Sequence, residues 1–318
     1  MLAEVKASYT ARDERTAGMT DEGVDIFYSC ALCQSFAPTH VCIVTPERPG
    51  LCGAVSFLDC KASYEIDPHG ANKPIKKGEV IDGVKGQWKG INEAVYATSQ
   101  NKIERMNAYT MMEDVMTSCG CFESISALLP LVNGIMVVDR DSTMMTPCGM
   151  KFSTLAGSVG GLLQTPGFIG HSKFYIGSKK FISADGGILR LTWMPKNLKE
   201  QLRAKIDERA KELGTENFTD MIADETCALT QEEVLAYLEK VGHPALKMES
   251  DGGILRLTWM PKNLKEQLRA RIDERAKELG RENFTDMIAD ETCALTQEEV
   301  LAYLEKVGHP ALKMESMV

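Results

Sequence analysis

Ile188-Leu189-Arg190-Leu191-Thr192-Trp193 reads as a short strand that ends at Pro195. Behind it Leu198, Leu202, Ile206 and Leu213 mark one apolar helical stripe, and Gly214 stops it. Thr230 with Glu233 three residues on is a capping box for a second helix carrying Val234, Leu235, Leu238 and Val241, which Gly242 and Pro244 end. The whole unit then returns. Asp185 to Ser250 recurs as Asp251 to Ser316, 66 residues each, differing only in that Lys205 is matched by Arg271 and Thr215 by Arg281. One strand and two helices cannot easily bury their apolar faces alone, so each copy must dock on a larger body. If that body offers one docking place, the copies compete for it. The expected fold is α+β: a mixed sheet with flanking helices, a cysteine-rich metal-binding loop region and a duplicated strand-helix-helix C-terminal module. Residues 1–250 are expected to form one metal-binding domain that includes the first copy, and residues 251–318 its near-identical second copy.

Composition excludes several classes. The 318 residues carry 36 Lys plus Arg against 45 Asp plus Glu, a formal charge of −9, which argues against a general nucleic-acid binder. Each copy of the repeat holds 13 acidic residues against 9 or 10 basic ones, so the remainder of the chain is close to neutral. The acidity belongs to the repeat and says little about a site. A hydrophobic content of 44 % supports a real core and excludes intrinsic disorder. The best apolar run, Ile125 to Val138, is broken by Pro130, Asn133 and Gly134 and falls short of the roughly 18 residues of a membrane span. Met1-Leu2-Ala3-Glu4-Val5-Lys6 lacks the apolar stretch of a signal peptide. A cytoplasmic protein with no nucleic-acid and no membrane partner is the expectation.

Outside the repeat the pattern is patchier. Ala7 to Gly23 is polar and charged without a clear period and reads as a linker. Tyr28 to Cys60 is rich in Pro, Gly and Cys, which predicts a ligand-bearing loop, or a segment held by something other than backbone ladders. Gly90 to Arg105 can form a helix with Ile91, Val95 and Ile103 near one face, Gly134 to Asp139 suits a buried strand, and Phe174 to Ile182 reads as a further strand interrupted at Gly177.

Seven of the ten cysteines fall between Cys30 and Cys121, a clustering that in a cytoplasmic chain suggests metal ligation rather than disulfides. Cys30, Cys33, Cys42 and Cys52 have the spacing C-x2-C-x8-C-x9-C, and four converging thiolates suit either tetrahedral zinc or a cubane iron–sulfur cluster. Spacing alone does not separate the two. Cys60 lies close by as a fifth ligand or, more simply, a buried thiol. In Cys119-Gly120-Cys121 two thiolates flank one glycine, which suits a square-planar ion held by two sulfurs and two backbone nitrogens, and that geometry favours nickel(II) or copper(II). Gly120 has no Cβ to obstruct the wrap.

The segment Tyr28-Ser29-Cys30-Ala31-Leu32-Cys33-Gln34-Ser35-Phe36-Ala37-Pro38-Thr39-His40-Val41-Cys42, followed by Thr45-Pro46-Glu47-Arg48-Pro49-Gly50-Leu51-Cys52-Gly53-Ala54, resembles the C-terminal, A-cluster domain of CO-methylating acetyl-CoA synthase, the enzyme that works with carbon monoxide dehydrogenase in anaerobes. The similarity continues through Cys119-Gly120-Cys121, Thr146-Pro147-Cys148-Gly149-Met150 and Gln164-Thr165-Pro166-Gly167-Phe168 into the first repeat copy, covering roughly residues 4–250. The resemblance implies that Cys30, Cys33, Cys42 and Cys52 hold a [4Fe-4S] cluster and that Cys33 bridges to a proximal nickel. Cys119 and Cys121 are then shared between the proximal nickel and a distal nickel whose square plane the backbone nitrogens of Gly120 and Cys121 complete; zinc or copper can take the proximal place. Phe36 matches the family aromatic beside the proximal metal, where it limits access; a plain core aromatic is the other reading.

The activity so implied joins carbon monoxide, a methyl group from a corrinoid iron–sulfur protein and coenzyme A into acetyl-CoA. Carbon monoxide dehydrogenase and ferredoxin are the further partners it implies. Bacterial members of that family carry two large domains upstream of the metal domain, so cluster binding is expected of this chain and full synthesis is expected to need those parts. The alternative is a non-catalytic iron–sulfur or zinc-binding module. Other candidates are weaker. Ala156-Gly157-Ser158-Val159-Gly160-Gly161 lacks the Lys-Ser or Lys-Thr of a phosphate loop and reads as a tight-packing turn. His40, His69 and His171 have no metal-type partner at helical spacing, Cys148 reads as a buried thiol, and Cys227 and Cys293 are one residue seen twice.

Overall fold

The computed structural model describes residues 2–35, 37–116, 120–160, 165–248, 258–260, 262–278, 280–310 and 312. A mixed four-stranded sheet runs through the middle, in the order β8 (Phe168–His171), β6 (Ser124–Leu129), β7 (Gly134–Asp139), β9 (Leu191–Trp193). β6 pairs antiparallel with β7 and β8, while β9 joins β7 in parallel, with Ile135 opposite Leu191 and Met136 opposite Trp193. The run Gly134 to Asp139 is a fully buried strand, as its composition predicts. Its side chains alternate between two cores: Met136 and Val138 pack with Ile125, Ala127 and Leu129 on one face, and Ile135 and Val137 with Ile169 on the other. Pro130 and Asn133, which break the apolar run in sequence, make the hairpin turn between β6 and β7, with Asn133 in the left-handed region at φ 48°.

A second sheet carries the cysteine segment. β1 (Ile26–Cys30) lies between β2 (Ile43–Val44) and β3 (Asn72–Lys76), antiparallel to both. α2 (Phe57–Ile66) starts at a Ser56–Asp59 capping box and packs on β1, the Phe57 and Tyr28 rings meeting edge-on at 5.4 Å. Of the two readings of Tyr28 to Cys60, the one in which something other than backbone ladders holds the segment is corrected: β-pairing fixes both ends of its first cysteine-bearing turn. β4 (Val80–Asp82) and β5 (Gln87–Trp88) form a hairpin ahead of α3 (Lys89–Thr98). Ile91 and Val95 are buried in α3 as expected, but the helix ends before Ile103 because Gln100 and Asn101 turn into the left-handed region.

Four further expectations are corrected. Of Ile188 to Trp193 only Leu191–Trp193 is strand, because Gly187–Arg190 form a 3-10 turn before it. Ala7 to Gly23 is not all linker: up to Arg15 it belongs to the helix α1 (Leu2–Arg15), where Ala, Glu, Lys and Arg make up more than half of the residues and their helix propensity needs no apolar period. Phe174 to Ile182 is not a strand. Ser172 caps a one-turn helix, α5 (Lys173–Ile176), and the strand lies earlier, in β8. Leu213 is half-exposed at the end of α6 (Lys196–Glu212), whose buried stripe is Leu198, Leu202, Ile206 and Ala210.

α6, α7 (Gln231–Val241) and β9 belong to residues 185–250; Thr230 and Glu233 form the expected capping box and Gly242 closes α7 in the left-handed region. Residues 251–316 supply α8 (Lys262–Glu278) and α9 (Gln297–Val307), while 251–257, where a second strand is expected, lie outside the described residues. Met260, Ile272, Ala276, Phe284 and Ile288 form a small core of their own that touches Leu131 and Leu235. No helix among the described residues is long and apolar enough to cross a membrane.

Candidate metal centre

The cysteine loop is shaped by backbone hydrogen bonds before any side chain acts. Cys30 closes β1, and its N–H donates to the Cys42 carbonyl at 2.9 Å, so the two are cross-strand neighbours in the β1–β2 register. Both are buried. Between them a 3-10 turn, Leu32–Ser35, carries Cys33, whose carbonyl accepts from Ala37 N–H. The Gln34 side-chain amide donates to the His40 carbonyl at 2.9 Å and ties the far side of the turn. Cys52 stands in a turn where Gly53 N–H bonds the Gly50 carbonyl and Ala54 N–H points at the Cys52 sulfur, 3.4 Å away.

The Cys52 turn is fitted to the segment that carries Cys121. Glu123 N–H donates to the Leu51 carbonyl, and Arg12 of α1 donates to the Gly53 carbonyl at 2.7 Å. Gly120 adopts φ +96°, a conformation that only glycine takes readily, and Gly160 at the end of α4 (Phe152–Val159) packs against its Cα. Arg140, just past β7, donates to the carbonyls of Cys121 and Phe122. These supports bring Cys33 and Cys121, 88 residues apart, to a sulfur–sulfur distance of 3.4 Å. Two sulfurs that close can both touch one soft ion, for which metal–sulfur distances are ~2.3 Å. Among the described residues no three His, Cys, Asp or Glu side chains are gathered tightly enough to hold one ion. Cys119 and Phe36 lie outside the described residues.

Other thiols have other employment. Cys60 on α2 is fully buried and accepts from the Asn72 amide at 3.2 Å. Burial, reinforced by Cys30 and Cys42, pushes its thiol well above the ordinary range. Cys148 is buried beside the Thr146 hydroxyl, and burial raises its pKa too. His171, fully buried, holds the Ser126 hydroxyl at 2.7 Å and the Ser172 carbonyl at 2.9 Å; desolvation lowers its pKa to about 4. His69 is exposed on a turn, whereas His40 is buried with Nδ1 lacking a hydrogen-bond partner. Ala156 to Val159 belong to α4, so the glycine-rich stretch makes no phosphate loop there, and Gly161 lies outside the described residues. Arg12, Glu123 and Arg140 were not legible as site residues: each acts on backbone carbonyls or a turn, which leaves no spacing in the sequence.

Fold and site together define an α+β domain that delivers thiols from two distant segments to one point. The chain belongs to the C-terminal family of the ACS/CODH beta subunit, whose model matches residues 9–250 and, again, residues 248–318. It is 59 % identical over 245 residues to the carbon monoxide dehydrogenase/acetyl-CoA synthase subunit alpha of Moorella thermoacetica, covering 77 % of this chain and 34 % of that protein. To the acetyl-CoA decarbonylase/synthase complex subunit beta of Methanopyrus kandleri it is 46 % identical over 246 residues, covering 77 % and 51 %. A solved structure of the C-terminal domain of an acetyl-Coenzyme A synthase Alpha subunit is 57 % identical over 42 % of this chain and 98 % of that one, with a TM-score of 0.40. The chain thus spans between a third and a half of the length of these curated relatives.

Proposed function

We propose that this chain is the active-site domain of a CO-methylating acetyl-CoA synthase, cytoplasmic, with residues 1–250 as the metal-bearing domain and 251–318 as a second copy of its strand-helix-helix module. The observation that carries the reading is the 3.4 Å approach of Cys33 to Cys121, which links the four-cysteine segment to the Cys-Gly-Cys segment. The donor chemistry fits the cluster. In a cubane each iron takes its own thiolate, so Cys30, Cys33, Cys42 and Cys52 need not meet at one ion, whereas tetrahedral zinc would require that they do. Cys119 and Cys121, with the backbone nitrogens of Gly120 and Cys121, would hold the distal nickel, and Cys33, Cys119 and Cys121 would hold the proximal metal, be it nickel, zinc or copper.

When bound, the nickel–iron–sulfur group supplies the soft, electron-rich centre at which carbon monoxide and a methyl group are joined and handed to the thiol of coenzyme A. The protein's own part is positional. Arg140 fixes the carbonyls around Cys121, the Gly53–Glu123 fit sets the height of the Cys52 turn, and burial of Cys30 and Cys42 keeps water from two of the thiolates. Phe36 is the residue we assign to limiting access to the proximal metal. A carbon monoxide dehydrogenase subunit, a corrinoid iron–sulfur protein and ferredoxin are the proposed partners. Anaerobic metal analysis tests the reading: about two nickel and about four iron per chain are expected. Zinc alone, or iron without nickel, would instead indicate the non-catalytic module.

A further inference from the structure

We infer that the docking face of the body accepts either tandem copy, so that residues 251–316 are a second occupant, within the same chain, for the place that residues 185–250 hold. The first copy is seated by contacts whose side chains the second copy repeats. Thr192 Oγ1 donates to the Ile135 carbonyl at 3.1 Å, Arg190 Nη1 donates to Asn133 Oδ1 at 3.2 Å, and Gln231 Oε1 accepts from Leu131 N–H at 3.3 Å. The residues 66 positions on are Thr258, Arg256 and Gln297, identical in kind. The two differing positions stand apart from these bonds. Lys205 places its ammonium 5.2 Å from the Phe174 ring centroid, a contact with which the arginine at the matching position of the second copy is chemically compatible. Thr215, matched by Arg281, sits in the turn after α6 with its N–H on the Ala210 carbonyl.

The unit is also closed on itself. A Cβ on Gly186, near its start, would come within 2.6 Å of Met248 Cε, near its end, and Asn133 bonds the Met248 carbonyl while Arg190 bonds Asn133. A segment that enters and leaves at one point can be followed by, or exchanged for, another of its kind without stretching the chain. Inside, the copies are built alike. Trp193 Nε1 donates to the Ala228 carbonyl at 2.9 Å and Trp259 Nε1 to the Ala294 carbonyl at 3.0 Å; Thr219 and Thr285 N–H each bond an aspartate, Asp207 and Asp273, at 2.7 Å. Their cover differs: Trp193 is fully buried whereas Trp259 is 39 % exposed, and Leu301, the counterpart of half-buried Leu235, is 49 % exposed. With the same side chains on both, the balance between the two seatings is set by two substitutions and by chain connection, not by a difference in complementarity.

A double-mutant cycle in the full chain tests this. Trp193→Ala and Trp259→Ala should each lower Tm by less than about a third of the loss in the double variant, because an intact copy takes the docking place and the truncated one moves to the partly exposed position. Light scattering should give Trp193→Ala the molar mass of the unmodified chain. Should the double variant fail to fold, hydrogen exchange of the peptides containing Lys205 and Arg271, which differ in mass, reads the exchange directly: in Trp193→Ala, protection should move from the first peptide to the second. A Trp193→Ala variant as destabilised as the double, protection that stays on the Lys205 peptide, or a doubled molar mass would each overturn the proposal.

Discussion

The carboxylate of Glu123 fills the space in which a side chain on Gly53 would begin: a Cβ there would fall 2.2 Å from Glu123 Cδ, and Gly53 itself holds φ +71°. Glu123 also accepts from Lys173 N–H at 2.8 Å and so has little room to retreat. Gly53→Ala should therefore cost about 1–3 kcal/mol from overpacking and left-handed strain together. Urea midpoints measure that loss. Because the displaced turn carries Cys52, iron content should fall as well, and an unaltered midpoint would show that the two segments are not fitted as described.

Cys121→Ala separates the two metal sets. It removes a thiolate assigned to both nickels while leaving Cys30, Cys33, Cys42 and Cys52 in place, so nickel should fall to near zero and iron should stay near four per chain. Equal loss of both metals would mean that the segments bind as one unit.

Cys60→Ala makes the opposite point. Its thiol is occupied by Asn72 and raised in pKa by burial, which disfavours the thiolate that a metal needs. Iron should be retained at the unmodified level, at a stability cost of about 1–2 kcal/mol for the vacated space and the lost sulfur contact, since the Asn72 amide keeps its bond to the Ser29 carbonyl. Loss of one iron or more would make Cys60 a ligand.

Arg140→Met should leave the fold intact but loosen the Cys121 carbonyl, costing about 1–3 kcal/mol through two lost charge-assisted hydrogen bonds. Nickel should be released more readily to a chelator than in the unmodified protein, with iron unaffected. Parallel release would place Arg140 outside the nickel half of the site.

Acid should weaken the metal-free protein through its buried histidines. His171 and His243 both have pKa values lowered by burial from 6.5 to about 4. Between those values the unfolded chain binds protons that the folded chain excludes, so stability is complete above about pH 6.5 and falls as pH drops towards 4, by up to about 1.4 kcal/mol per pH unit for each histidine. Urea midpoints across that range measure the slope, and His171→Gln should flatten it. A slope that His171→Gln leaves unchanged would contradict this assignment.

What could be read from sequence follows from which forces leave a pattern. β7 and the capped α7 were legible because burial and capping act through residues at fixed local spacing. The six candidate ligand cysteines stand out in the sequence because cysteine is rare and few residue types can replace a thiolate, and of their meeting the described residues give the Cys33–Cys121 approach. The β1–β2–β3 ladder was not, since β2 is only two residues long and its pairing is set by long-range register. Nor was α1, whose charged residues carry no stripe, nor the role of Arg140, whose partners are main-chain carbonyls. The tandem copy was plain in the letters, but it took the β7–β9 pairing and the burial of Trp193 against the exposure of Trp259 to show which copy is seated on the body.

The most direct test of the central claim is carbon monoxide binding to the reduced protein, counted on the same anaerobic sample in which nickel and iron are measured. About one carbon monoxide should be bound for about two nickel and about four iron, and none in Cys121→Ala. A protein that holds its full iron yet takes up neither nickel nor carbon monoxide would contradict it.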